Sequence, residues 1–102
     1  MNELKELYLT ETVANVAETP GAWVMWRDVN AEAKAPDMWR ERGGYGLGAL
    51  YHLEPITAWK RKGCPAEHWR FVSVYENSKA AFKAMWNDIE KRLLPIINGG
   101  SA

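Results

Sequence analysis

"HWRFVSVYENSKAAFKAMWNDIEKRLLP", residues 68 to 95, decides the fold class, because its apolar period changes once within it. From His68 to Glu76 aromatic and β-branched residues dominate, and successive side chains point to opposite faces. Trp69, Phe71, Ser73 and Tyr75 then share one face, and His68, Arg70, Val72 and Val74 the other. This is a strand. From Ser78 onward, Phe82, Met85, Trp86, Ile89 and Leu93 recur at helical spacing and form one apolar stripe. Ser78 stands where an N-cap residue belongs, Asp88 and Arg92 lie four apart on the wet side, and Pro95 stops the helix.

Upstream, "ALYHLEPITAWKR" (49 to 61) reads as the partner strand, joined to 68–76 through the loop "KGCPAE". Pro55 interrupts it, which demands an edge position, a bulge or two short strands. A third strand, "AWVMWRDV" (22 to 29), follows Thr19-Pro20-Gly21-Ala22, where Pro then Gly suits a type II turn. Residues 3 to 17 read as a helix with apolar residues on two sides, although Thr10, Thr12 and Val13 also tolerate a strand. Residues 30 to 48 read as a long connection with a short helix at "PDMWRER" that begins on Pro36.

The expected order is α-β-β-β-α, an α+β fold with a small three-stranded antiparallel sheet between an N-terminal and a C-terminal helix. A chain of 102 residues has room for one domain, here 1–95, followed by a flexible tail at 96–102. The order resembles that of double-stranded-RNA-binding domains. That resemblance would place a basic cluster on "NSKAAFKAM", which offers Lys79 and Lys83 but no dense run.

Thirteen basic residues balance thirteen acidic ones, so no global field draws the chain to nucleic acid or to an anionic membrane. Zero net charge also leaves little self-repulsion against a homodimer. The single cysteine, Cys64, rules out an internal disulfide and fits a reducing compartment. No stretch approaches the roughly 18–20 apolar residues of a membrane span, and the first residues lack the apolar core of a signal peptide. A cytoplasmic protein is expected.

The glycine run "GGYGLGA" (43 to 49) contains the letters of a dinucleotide fingerprint in Gly44, Gly46 and Ala49. That fingerprint needs a strand before it and a crossover helix after it, and "DMWRER" before and Pro55 after supply neither. No Lys-Ser or Lys-Thr pair follows, so a P-loop is excluded. Gly43 instead sits where a helix C-cap glycine belongs, and the rest is a flexible contact loop or a place where another backbone comes close. Cys64 and His68 lie four apart, which is the minimum for a nucleophile beside a base, but no third residue orients them. His52, Glu54, Cys64 and His68 lack the paired short spacings of a zinc site. Neither cofactor nor metal is expected, and the chain reads as a non-enzyme.

Tryptophan is the anomaly: six occur, at 23, 26, 39, 59, 69 and 86. Four are followed at once by a base, in Trp26-Arg27, Trp39-Arg40, Trp59-Lys60 and Trp69-Arg70. On strands this would turn tryptophan inward and a row of Arg27, Lys60 and Arg70 outward, a basic face of the kind that binds nucleic acid. A thin core absorbs three or four of the six, and Trp23 and Trp39 are expected outside. Exposed tryptophan beside arginine is the composition of protein-docking hot spots. The expected function is therefore docking on a larger protein or nucleoprotein through Trp23, Arg27, Trp39, Arg40, Arg42, Tyr45, Lys60 and Arg70, as phage or mobile-element inhibitors and adaptors do. Binding of RNA or DNA on the basic face, or of a small molecule in an aromatic pocket, are the alternatives.

Overall fold

The computed structural model describes residues 20–62 and 66–99. Along them run β1 (Trp23–Asp28), α1 (Ala31–Arg42), α2 (Gly44–Gly48), β2 (Tyr51–Pro55), α3 (Ile56–Lys62), β3 (Trp69–Tyr75) and α4 (Ser78–Asp88). A π-helical turn (Ile89–Leu93) and α5 (Leu94–Ile97) complete the described chain. The fold is a small α+β domain around a three-stranded antiparallel sheet, with helices also inserted between the strands. The helix expected over 3–17 lies outside the described residues.

The sheet order is β2-β1-β3, so β1 is central and the expected pairing of 49–61 with 68–76 is not made. The reason lies at Pro55. After it the amide of Ile56 still donates to Ala22 O at 2.8 Å, and then the chain turns helical, because Ile56 and Trp59, three apart, both bury on the sheet. That helix carries the chain across the sheet, and β3 joins the far side of β1. Central β1 buries Val24, Met25 and Trp26 in succession, since both of its faces are covered.

A bulge corrects the expected faces of β3. Met25 pairs with Ser73 but Trp26 pairs with Phe71, so Val72 is the extra residue and the parity flips there. Trp69, Phe71 and Val74 face one cluster, while Val72 and Tyr75 face the other. Among the described residues, the first cluster joins Ala22, Val24, Trp26, Ile56, Trp59 and Val74 beneath α3. The second joins Met25 to α1, α2, α4 and the π turn through Ala35, Leu47, Tyr51, Met85, Ile89 and Leu93.

Helix α1 is longer than the expected turn at "PDMWRER", and Pro36 lies inside it rather than at its start. Buried Ala31 and Ala35 anchor its first turns, and their small side chains gave no apolar stripe to read. Asp28 fixes its beginning: Oδ1 accepts from the amide of Asn30 at 2.8 Å and Oδ2 from Lys34 Nζ at 2.7 Å. Gly43 ends it with φ +62, donating to Trp39 O at 2.8 Å, as expected of a C-cap glycine. The next residues form the short helix α2, and Gly46 is where a second backbone comes close. A Cβ there would lie 2.2 Å from Met38 O.

Helix α4 is capped by Asn77, whose side chain accepts from the amide of Ala80 at 2.8 Å, and not by Ser78. Pro95 does not stop the helical run. The π turn at Ile89–Leu93 shifts the hydrogen-bond register, and Pro95 then falls in the first turn of α5, where its missing N–H costs nothing. Ile97, past the expected end of the domain, packs on the second cluster. Gly21 has φ +85, as the third position of a type II turn requires. Among the described residues no helix is long and apolar enough to cross a membrane.

Candidate functional site

The buried stripe of α4 and the π turn is Ala81, Met85, Ile89 and Leu93, four residues apart throughout. Phe82 and Trp86 lie one position round the helix, and at 47% and 45% exposure they face solvent. Tyr45 of α2, 91% exposed, stands opposite them. Between α4 and α2 these rings flank an open, mainly apolar groove of about 390 Å³, floored by Tyr51, Leu53 and Met85, with His52 at its margin. On its glycine wall a Cβ on Gly44 would make only an ordinary contact, 3.7 Å from the far edge of the Trp86 ring. The close approach of α2 is to α1, at Gly46 against the Met38 carbonyl, and on the α4 side it leaves the groove open.

Beneath the groove the sheet is tied to the helices through Asp88. Its carboxylate accepts from the Tyr51 hydroxyl, from Arg27 Nη1 at 3.1 Å and from Arg92 Nε at 3.0 Å. Arg92 also approaches Glu32 at 3.7 Å. Burial, reinforced by the hydrogen bond to Asp88, pushes the Tyr51 hydroxyl far above the usual tyrosine range, so it remains a donor. Burial also raises Tyr75, aided by the negative charge of Asp88. The floor of the groove is therefore tied by an Arg-Asp-Tyr network in which the Tyr51 hydroxyl stays protonated.

The expected basic row is not assembled. Lys60 lies on α3, on the opposite side of the sheet from Arg27, which points toward the helices and pairs with Asp88. Arg27 and Arg70 do stand directly opposite each other across β1 and β3. They border a second, polar cavity of about 400 Å³ together with Asp28 and Glu32, so its charges are mixed. Burial works to raise the Asp28 carboxyl, but the hydrogen bonds from Lys34 and from the Asn30 amide outweigh it and hold the group below its ordinary value.

Of the expected docking residues, Trp39 is 43% exposed on α1, near Arg40 and Arg42. Arg40 pairs with Asp37 at 2.8 Å, and the Arg42 side chain lies beside Gly46 on the side of α2 that faces α1. Trp23 is half-buried, its ring 6.4 Å from that of Phe82. Trp26 and Trp59 are buried, Trp69 is half-buried, and Trp86 takes the exposed place that Trp23 was expected to fill. The row Phe82–Trp86, displaced by one position from Ala81–Met85–Ile89, was the available signal. Without Ala81 in the stripe, that row merges with the core positions Met85, Ile89 and Leu93.

Cys64 lies outside the described residues. His68 is exposed with its ring 4.5 Å from Trp69, and His52 Nε2 lies 3.3 Å from Glu54 Oε1. Among the described residues no group of three or more histidine, cysteine or acidic side chains is placed to hold a metal ion. Comparison with known protein families, curated proteins and solved structures finds no significant match.

Proposed function

We propose that this chain is a non-enzymatic binding module that docks on a partner protein through the aromatic groove between α2 and α4. The observation that carries the reading is the convergence of Tyr45, Phe82 and Trp86, all solvent-exposed, on one groove whose floor residue Tyr51 is hydrogen-bonded to Asp88. Aromatic side chains bring large contact area at low entropic cost, which is why they dominate interface hot spots. The exposed end of α1, with Trp39, Arg40 and Arg42, leads through Gly43 into the groove wall and extends the surface.

The test is selection of a phage-displayed library of random peptides, about twelve residues long, on the wild-type chain and in parallel on Phe82→Ala and Trp86→Ala. Peptides that bind wild type and lose about tenfold or more in affinity for both variants sustain the reading. Failure to enrich any peptide, or peptides indifferent to both substitutions, overturns it.

A further inference from the structure

The groove runs along a sheet edge, and the backbone of that edge specifies what lies in it. Asp28 N donates to Leu50 O and Ile56 N to Ala22 O, both at 2.8 Å, at the two ends of the β1–β2 ladder. With Val24 opposite Glu54 and Trp26 opposite His52, the residues of β2 turned toward β1 are His52 and Glu54. Tyr51 and Leu53 therefore direct their backbone groups away from the sheet. Pro55 agrees with this alternation, because its missing N–H falls on the side where no ladder bond is made.

No described residue bonds the outward N–H or C=O of Tyr51 or Leu53. Among the described residues the edge thus offers two donors and two acceptors, on Tyr51 and Leu53, over roughly 7 Å of strand. The Pro55 carbonyl faces the start of α3 and takes its first intrahelical bond. The edge carries neither lysine nor a bulge, two of the usual devices that keep an edge from pairing. Tyr51 and Leu53, whose side chains share the helix-facing side, also floor the groove.

We propose that β2 accepts an extended segment of the partner protein as a fourth strand, with alternate side chains of that segment filling the groove. This rests on the docking reading above and names the form of the ligand. Residues opposite Tyr51 and Leu53 point at Phe82, Trp86 and Tyr45 and are apolar. Their neighbours point the other way, beside His52 and Glu54, and are polar. Lys79 and Lys83 flank Phe82 on the exposed side of α4, so acidic residues at the ends of the segment are favoured. A second copy of this chain fits less well as the occupant. Its own Tyr51 and Leu53 are committed to its own core, and an antiparallel β2–β2 pair centred on Leu53 would set Pro55 against Tyr51 and lose a bond at each end.

The experiment uses the dominant peptide from the library selection, bound to the full chain, with hydrogen exchange followed by NMR. In the free chain, Tyr51 and Leu53 amides should exchange faster than those of His52 and Glu54. With saturating peptide their exchange should slow by about tenfold or more. Two N-methylated versions of the peptide, each blocking one alternate set of amides, should differ, one losing binding and the other keeping it. A peptide that needs Trp86 but leaves Tyr51 and Leu53 unprotected, or tolerates both N-methylated sets, overturns strand addition while leaving docking intact. If no peptide binds, both fall. Protection of the same two amides by concentration alone, without peptide, overturns the proposal in favour of self-pairing.

Discussion

On the α3 side of the sheet the aromatic rings are packed against one another in the core, whereas on the α4 side Phe82, Trp86 and Tyr45 are left open to water. Trp26 stands edge-on to Trp59 at 5.4 Å and to Phe71 at 5.8 Å, and Trp59 lies 5.2 Å from Phe71. Such contacts each add about 0.5–1.5 kcal/mol to area burial. Across the sheet, Phe82, Trp86 and Tyr45 border an open groove, while Met85, Ile89 and Leu93 do the burying behind them. The same residue type serves as core on one face and as surface on the other. What separates the two is one position on a helix, not composition. Tryptophan content therefore says how much aromatic surface a small domain owns, and the second row of α4 says where it is left uncovered.

The sharpest break in the comparison is at the closed side. Trp26→Ala should cost about 3–5 kcal/mol in a urea unfolding experiment, since it opens a cavity beside the two rings of Trp59 and Phe71. It should do so without bearing on the groove residues. At the open side, the packing of α2 on α1 rather than the groove rings carries the stability. Gly46→Ala drives a methyl into the Met38 carbonyl and should cost about 3 kcal/mol. Gly44→Ala, which makes only an ordinary contact with Trp86, should change stability far less. Equal effects of the two substitutions would mean that α2 is not held against α1 as described.

The groove floor gives an intermediate effect. Asp88→Ala leaves the Tyr51 hydroxyl and the Arg27 guanidinium without their acceptor, both in partly buried positions, and should cost about 2 kcal/mol. Thermal unfolding of the variant checks this, and a neutral result would show that the network only decorates the floor. The smallest of these effects is acid-dependent. Because the folded Asp28 carboxyl lies below its ordinary value of 3.8, the stability it adds is complete above that pH and is lost as the pH falls through the lower folded value. Asp28→Asn should flatten that acid limb while leaving its slope near neutrality unchanged.

Much of this was legible in the chain. The change of period at Glu76-Asn77 placed β3 and α4, the Pro-Gly turn placed the start of β1, and Gly43 announced the end of a helix. The errors have physical causes. "ITAWKR" contains β-branched and aromatic residues, so local preference favoured strand, while the burial of Ile56 and Trp59 on one sheet face made it helical. The bulge at Val72 moved Tyr75 to the other side without any glycine to announce it. Sheet order depends on which edge of β1 each strand reaches, and no local pattern encodes that. At the site, Tyr45, Trp39 and Arg42 were read from composition and exposed character, but Phe82 and Trp86 were assigned to the core. Arg27 was read as solvent-facing because its partner, Asp88, lies sixty-one residues away.

The most direct measurement compares thermal midpoints of Trp86→Ala and Trp26→Ala with wild type, with the selected peptide titrated against each folded protein. An exposed ring leaves no cavity, so Trp86→Ala should cost about 1 kcal/mol or less and lower the midpoint by no more than about 8 °C. It should also abolish most of the peptide affinity. Trp26→Ala should lower the midpoint by at least about 12 °C and retain peptide binding at temperatures where the protein remains folded. If Trp86→Ala destabilises as much as Trp26→Ala, or leaves peptide affinity untouched, the α4 aromatics are not a docking surface and the contrast between the two faces does not hold.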